Sequence, residues 1–155
     1  MSVGHRLTEL GIVLPAVAAP VAAYVPAVRS GNLVWTSGQL PFVDGALPTT
    51  GKVGEGAGLV SPGDAAGLAR TAALNALAAV AEQAGSLDRV RRVVKVVGYV
   101  ASDPRFTGQP QVVNGASELL GQVFGEAGVH ARSAVGVAAL PLDAPVEIEL
   151  VVELY

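Results

Sequence analysis

The sequence predicts an α+β protein, a mixed β-sheet with two helices packed on one face. Three observations carry this. Residues 62–84 and 112–124 have helical spacing of apolar residues and clear ends. Residues 32–36, 93–100, 133–140 and 146–154 are rich in Val, Ile and aromatic residues and read as strands. Helices alternate with strands in mid-chain, whereas the last two strands follow one another across a short turn, as a terminal hairpin would.

Each element has its own local reason. Residues 5–10 form a short helix ending at Gly11, and the Pro/Ala-rich run 15–26 is extended, covering chain. The strand Asn-Leu-Val-Trp-Thr follows the turn signal Ser30-Gly31 and ends at Ser37-Gly38-Gln39. Glycines and a proline make 40–62 a long loop with room for a short strand pair. The first long helix starts with Ser61 as N-cap, Pro62 in its first turn and Asp64 at its positive end, and stops at Gly85. Leu68, Ala72, Ala76, Leu77 and Val80 mark its inner face, flanked by Leu74, and its alanines permit close packing on a sheet. Residues 93–100 are apolar apart from Lys95, as in a strand covered on both sides. Residues 102–110 form a loop. The second helix turns Val113, Leu119, Leu120, Val123 and Phe124 inward and ends at Gly125 and Gly128. Pro141 closes the strand 133–140, and 143–145 turns the chain. The last strand alternates Val146, Ile148, Leu150 and Val152 against Glu147, Glu149 and Glu153.

Composition narrows the function classes. The chain has 155 residues, 51% of them hydrophobic and 15% charged, which is one globular domain without a disorder signature. Ten basic residues against thirteen acidic ones leave a net charge of −3, so a basic nucleic-acid footprint is absent. With no cysteine and two histidines, disulfides, thiolate zinc sites, cysteine nucleophiles and His-rich metal sites are excluded. Prolines at 15, 20 and 26 break the most apolar N-terminal stretch, so no membrane span is expected. Glu9 and Pro15 sit where a secretory signal needs a basic and an unbroken apolar region, so a cytoplasmic location is expected. The high mean hydropathy and a sheet face without helices point to burial between subunits.

Several residues are candidates for chemistry. Arg132, just ahead of a strand, offers a planar fork to a carboxylate; it is equally a loop arginine paired with a local acid. Glu147 opens the last strand, and a hairpin would bring it within reach of Arg132; alone it also reads as a solvent-facing acid. Tyr24 in the Pro-rich leader either covers a pocket or anchors packing. Ser37-Gly38 caps a strand where glycine permits close approach to a ligand, and also serves any tight turn. Asn75 and Asn114 are polar residues in helices, each able to bond nearby backbone. His130 can titrate near neutral pH, although a lone histidine is more often structural. Lys95 invites pairing with a strand glutamate, and Trp35 is expected in a strand core. No phosphate-binding glycine loop or serine-hydrolase elbow occurs at a strand-to-helix turn. The residues alone leave a small oligomeric protein with an anion site of carboxylate size.

Four groups of residues together resemble the reactive-intermediate deaminase family, also called RidA, YjgF-like or L-PSP endoribonuclease. They are Tyr24 with the run from Gly31 to Pro41, Ala73 to Leu77 with Ala84-Gly85, Arg91 to Val100 with Asn114, and Ala131 to Val135 through Leu140-Pro141 to Glu149. The resemblance begins near residue 20. It implies one domain over 1–155, with 1–20 as an extension outside the family core. It also implies a chorismate-mutase-like fold, a homotrimer with clefts between subunits, and hydrolysis of reactive 2-enamine or 2-imine acids, such as 2-aminoacrylate, to 2-oxo acids and ammonia. No metal or organic cofactor is implied.

Carried over by position, Arg132 binds the substrate carboxylate and Glu147 orients or activates water. Tyr24 helps place water or substrate. Ser37 and the Gly38 backbone line the cleft, Asn114 supports it, and the Ala134 carbonyl accepts from the imine nitrogen. The chain departs from the family pattern in having Ala134 where cysteine is common, His130 where proline is common, and a longer Gly/Pro-rich stretch at 105–111. The alternative expectation is a non-catalytic trimer that binds small carboxylate metabolites and regulates a partner. RNA cleavage is disfavoured by the charge balance and the lack of paired histidines or a stacking platform.

Overall fold

The computed structural model describes residues 1–20 and 22–155. Helix α1 (Val3–Glu9) is capped by Ser2, whose hydroxyl accepts from the His5 N–H. It precedes strands β1 (Ala27–Ser30) and β2 (Leu33–Thr36), helix α2 (Pro62–Ala84) and strand β3 (Val90–Ala101). Helix α3 (Gln109–Phe124) and strands β4 (Ala131–Val137) and β5 (Val146–Leu154) complete the chain. The sheet order is β1-β2-β5-β3-β4, with β3 and β4 parallel and every other pair antiparallel. The expected α+β class and mixed sheet are therefore observed.

α2 begins and ends at the residues its caps predict. Ser61 Oγ accepts from the Asp64 N–H at 3.2 Å, and Gly85 sits in the left-handed region with φ of 84°. Ala65, Ala69, Ala72, Ala76, Leu77 and Val80 are buried, so a small-residue face lies close on the sheet. α3 starts three residues earlier than its apolar spacing indicates, because Gln109 and Pro110 suit a first turn although neither is apolar. Both long helices and the inner side chains of β5 enclose one core. Leu7 of α1 and Ile12, Leu14 and Val17 beyond it join that core from the N-terminal side.

One strand is not announced by the sequence, and three expectations need correction. The strand Ala27–Ser30 is not evident from its sequence, because Arg29 and Ser30 interrupt any apolar alternation; it forms as the antiparallel partner of β2 across the tight turn at Gly31, φ 59°. β4 and β5 do not form a hairpin. Residues 138–145 cross the end of β3, where the Ala101 N–H donates to the Pro145 carbonyl, and β5 is laid down on the far side of β3. An eight-residue link is long enough for that crossing. Trp35 is 51% exposed rather than in a core, because it points from β2 to the helix-free face. Lys95 bonds the Ser133 hydroxyl at 3.2 Å on the neighbouring parallel strand, rather than a glutamate. Among the described residues no helix is long and apolar enough to cross a membrane.

Candidate functional site

The topology separates the predicted site residues into two groups. With β3 between β4 and β5, Arg132 stands beside Val96 while Glu147 stands beside Tyr99. Side chains alternate along a strand. Arg132 therefore turns to the helix side, where it contacts α3, and Glu147 turns to the helix-free side with Tyr99 and Glu149. Within one protomer the hairpin-based expectation that these two side chains meet is overturned.

The first group surrounds a cavity of about 420 Å³ at the end of β2 and the start of β5. Tyr24, Ser37, Gly38 and Glu147 all line it. Beyond Thr36 the chain leaves the regular ladder and re-pairs at Gln39, which exchanges both backbone hydrogen bonds with Ile148. Gly38 thus lies flat against Glu147. A Cβ at Gly38 would sit 2.7 Å from the Glu147 carboxyl carbon, so only glycine lets the carboxylate occupy this position. The Ser37 hydroxyl donates to the Val25 carbonyl at 2.6 Å and ties the N-terminal segment to the cavity rim.

Burial, and then the nearby Glu149, push the Glu147 carboxyl above its ordinary value. Among the described residues no side chain donates to it. Glu149 is different: Tyr99 donates its phenol proton to it at 2.6 Å. That bond, reinforced by burial and by both carboxylates, pushes the Tyr99 phenol up to about 12. Tyr99 is therefore a neutral hydrogen-bond donor throughout the neutral range, while Glu147 is the carboxylate poised to take up a proton.

The second group is a guanidinium held rigid on α3. Arg132 Nη1 donates to Asn114 Oδ1 at 2.7 Å and to Ser117 Oγ at 3.2 Å, and Nη2 donates to the Pro110 carbonyl at 3.3 Å. Arginine carries five N–H donors. Three are used here, leaving Nε–H and one Nη2 hydrogen without a partner among the described residues. Asn114 and Ser117 lie one helical turn apart, the spacing that places both on one face of α3. His130 adds a further link. Its Nδ1 lies 2.6 Å from the Gly128 carbonyl and its Nε2 lies 2.9 Å from Ser117 Oγ. The carbonyl can only accept, so Nδ1 carries a proton, and the Ser117 hydroxyl, whose oxygen accepts from Arg132, has its hydrogen available for Nε2.

Sequence reasoning named Asn114 and His130 but missed Ser117, whose only signal was its spacing from Asn114. Ala134 packs against the core, and β4 is an edge strand with one side unpaired within the protomer. Asn75 lies apart from both groups and donates to the Leu40 and Phe42 carbonyls, fixing the loop that walls the cavity. Among the described residues no three His, Asp or Glu side chains converge as a metal site would require.

Comparisons with known proteins agree with this architecture. The family model described as "YjgF/chorismate mutase-like, putative endoribonuclease" matches residues 4–154. The chain is 49% identical over 153 residues to Protein TCP17 of Trypanosoma cruzi, covering 98% of this chain and 94% of that protein. It is 36% identical over 135 residues to the 2-iminobutanoate/2-iminopropanoate deaminase of Escherichia coli, covering 86% and 88%. Among solved structures, protein Atu1372 of Agrobacterium tumefaciens superposes with a TM-score of 0.87 at 45% identity, covering 99% of this chain and 93% of that one. Fold, order of elements and sequence together make this chain a member of the YjgF/RidA family.

Proposed function

We propose that the protein hydrolyses 2-imino or 2-enamino acids to 2-oxo acids and ammonia, in a cleft where two copies of the chain meet in a homotrimer. The observation that carries this reading is the division of the site. One part of the protomer offers a carboxylate with a raised pKa in a mostly apolar cavity. Another offers a guanidinium already oriented and with donors to spare. Neither part is complete, and apposition of two copies would join them.

In that cleft Arg132 of one copy takes the substrate carboxylate through Nε–H and Nη2–H, with Asn114, Ser117 and the Pro110 carbonyl holding the fork in place. The imine carbon then lies over Gly38 and Glu147 of the other copy. The Glu147 carboxylate accepts a proton from water as the water oxygen bonds to the imine carbon, and hands that proton to the imine nitrogen, which gives a carbinolamine and restores the carboxylate. The carbinolamine hydroxyl then gives its proton to Glu147, which passes it to the amino group as the C–N bond breaks, releasing ammonia and leaving a 2-oxo acid. An imine carbon is already electrophilic, so positioning together with one proton-transferring group is sufficient. Tyr24 and Ser37 line the cleft from the Glu147 side, and the Ala134 backbone lies on the Arg132 side. The relationship to a deaminase at 36% identity supports the same reaction class.

The test is hydrolysis of 2-iminobutanoate and 2-aminoacrylate generated in situ, followed by trapping of residual imine, with wild type beside Arg132→Ala. Acceleration by wild type and at least a hundredfold loss in the variant is expected. No acceleration by an intact trimer would overturn the deaminase reading. Equal acceleration by both proteins would remove Arg132 from the site.

A further inference from the structure

The cavity beside Glu147 has a wall that the reaction itself does not require. Ala18, Ala19, Pro20 and Ala22 of the N-terminal segment line it. Leu40 and Phe42 line it as well, the latter held by the Asn75 amide through its carbonyl. The wall is apolar and its side chains are short, so it leaves space rather than filling it. The opening of about 420 Å³ is in the range of sites for whole small molecules, whereas the substituent of 2-iminopropanoate is a single methyl group. The segment is tied in by the core contacts of Leu14 and Val17 on one side and by the Ser37 bond to the Val25 carbonyl on the other.

We propose that this wall is a subsite for the substrate side chain, and that the protein selects 2-imino acids with branched or extended apolar side chains over those bearing a methyl group. The proposal rests on the reading above for the orientation of the substrate. The trigonal carbon carries three substituents. Its carboxylate points to the arginine of the neighbouring copy and its nitrogen to the Glu147 side. The third substituent is then directed away from the arginine, into the space lined by Ala18, Ala19, Leu40 and Phe42. The side chains of that part of the wall are apolar, which favours hydrocarbon and disfavours a charged or strongly polar end.

Stable 2-oxo acids test this independently of turnover. Titration calorimetry of the full-length protein with pyruvate and with 4-methyl-2-oxopentanoate compares a methyl substituent with an isobutyl one. Three additional carbons buried in an apolar pocket correspond to a preference of about tenfold or more for the longer acid. Ala18→Leu and Ala19→Leu fill the subsite from the wall and are expected to reduce that preference severalfold. Ala19 is exposed, so its substitution does not touch the core.

Equal affinity for the two acids, tighter binding of pyruvate, no binding of either, or a preference unmoved by both substitutions would overturn the subsite. A protein that prefers the longer acid yet hydrolyses no imine would retain the subsite and lose the deaminase reading instead.

Discussion

Glu147 shows how one residue's surroundings set its use. Its carboxyl fills the space that a side chain at Gly38 would need, is half-buried, and has Glu149 two residues on. Burial, and then the charge of Glu149, favour the protonated form. The folded protein therefore binds this proton more tightly than the unfolded chain does. Stability contributed by the neutral form is present at low pH and declines as pH rises from the ordinary glutamate range through the raised folded value. Glu147→Gln should consequently raise Tm at pH 7 by roughly a few degrees, with no gain below the ordinary glutamate range, in thermal melts across pH. The same substitution should lower kcat by about a hundredfold or more and remove the acidic limb of the pH–rate profile, which in wild type should fall above the ordinary glutamate range.

His130 acts at one remove. It accepts from the hydroxyl of Ser117, whose oxygen in turn accepts from Arg132. His130→Ala should loosen the guanidinium without removing it. The expected result is a KM raised severalfold, about 1 kcal/mol, with kcat little changed, and partial recovery in His130→Gln, whose amide oxygen can replace the ring acceptor. A fall in kcat with KM unchanged would contradict this role.

At the scale of elements, packing depends on close approach. α2 and α3 touch where Gly115 lies on the backbone of Ala66; a Cβ there would run into the Ala66 carbonyl, which belongs to backbone and cannot rotate away. Gly98 likewise leaves room for the side chain of Val113 over β3. Gly115→Ala should therefore destabilise the protein by about 3 kcal/mol in chemical denaturation, whereas the same substitution at Gly67, which has open space around it, should change stability by less than about 1 kcal/mol. The helices themselves were legible because capping and spacing are local: Ser61, Pro62, Asp64 and Gly85 mark the ends of α2 without reference to anything else. The strand Ala27–Ser30 was not, since its register comes from pairing with β2 rather than from its own alternation. Asn114 and Ser117 belong to the same case. Their spacing is visible, but the guanidinium they hold arrives from a strand whose place in the sheet no local pattern dictates.

For the whole molecule, the decisive feature is the helix-free face of the sheet. Val28 and Trp35 are each about half exposed on it, Val135 stands farther across, and the acidic residues of β5 run between them. In the proposed homotrimer this face and the edge strand β4 meet neighbouring copies, which would bring the Arg132 cluster of one chain to the Glu147 cavity of the next. Light scattering is expected to give three copies for the wild type. Trp35→Glu places another carboxylate on that face beside Val151 and Glu153, and should shift the mass toward the monomer with loss of activity, even though Trp35 lines neither half of the site. A monomeric variant with full activity would sink the shared cleft.

The sequence by itself determined the fold class, both long helices, the caps of α2, the alternation of the final strand, and which residues are of the type that holds a carboxylate or moves a proton. All of these follow from chemistry within a few residues of chain or from residue type. Only the tertiary structure decided that β5 passes to the far side of β3, that Arg132 and Glu147 consequently face opposite sides of one sheet, and that the N-terminal segment walls the cavity. Strand order depends on how a whole sheet satisfies its backbone hydrogen bonds and covers one face with helices. The segment's position depends on which apolar surface remains for Leu14 and Val17 once the core is assembled. Those are competitions among distant parts of the chain, and no local pattern records their outcome.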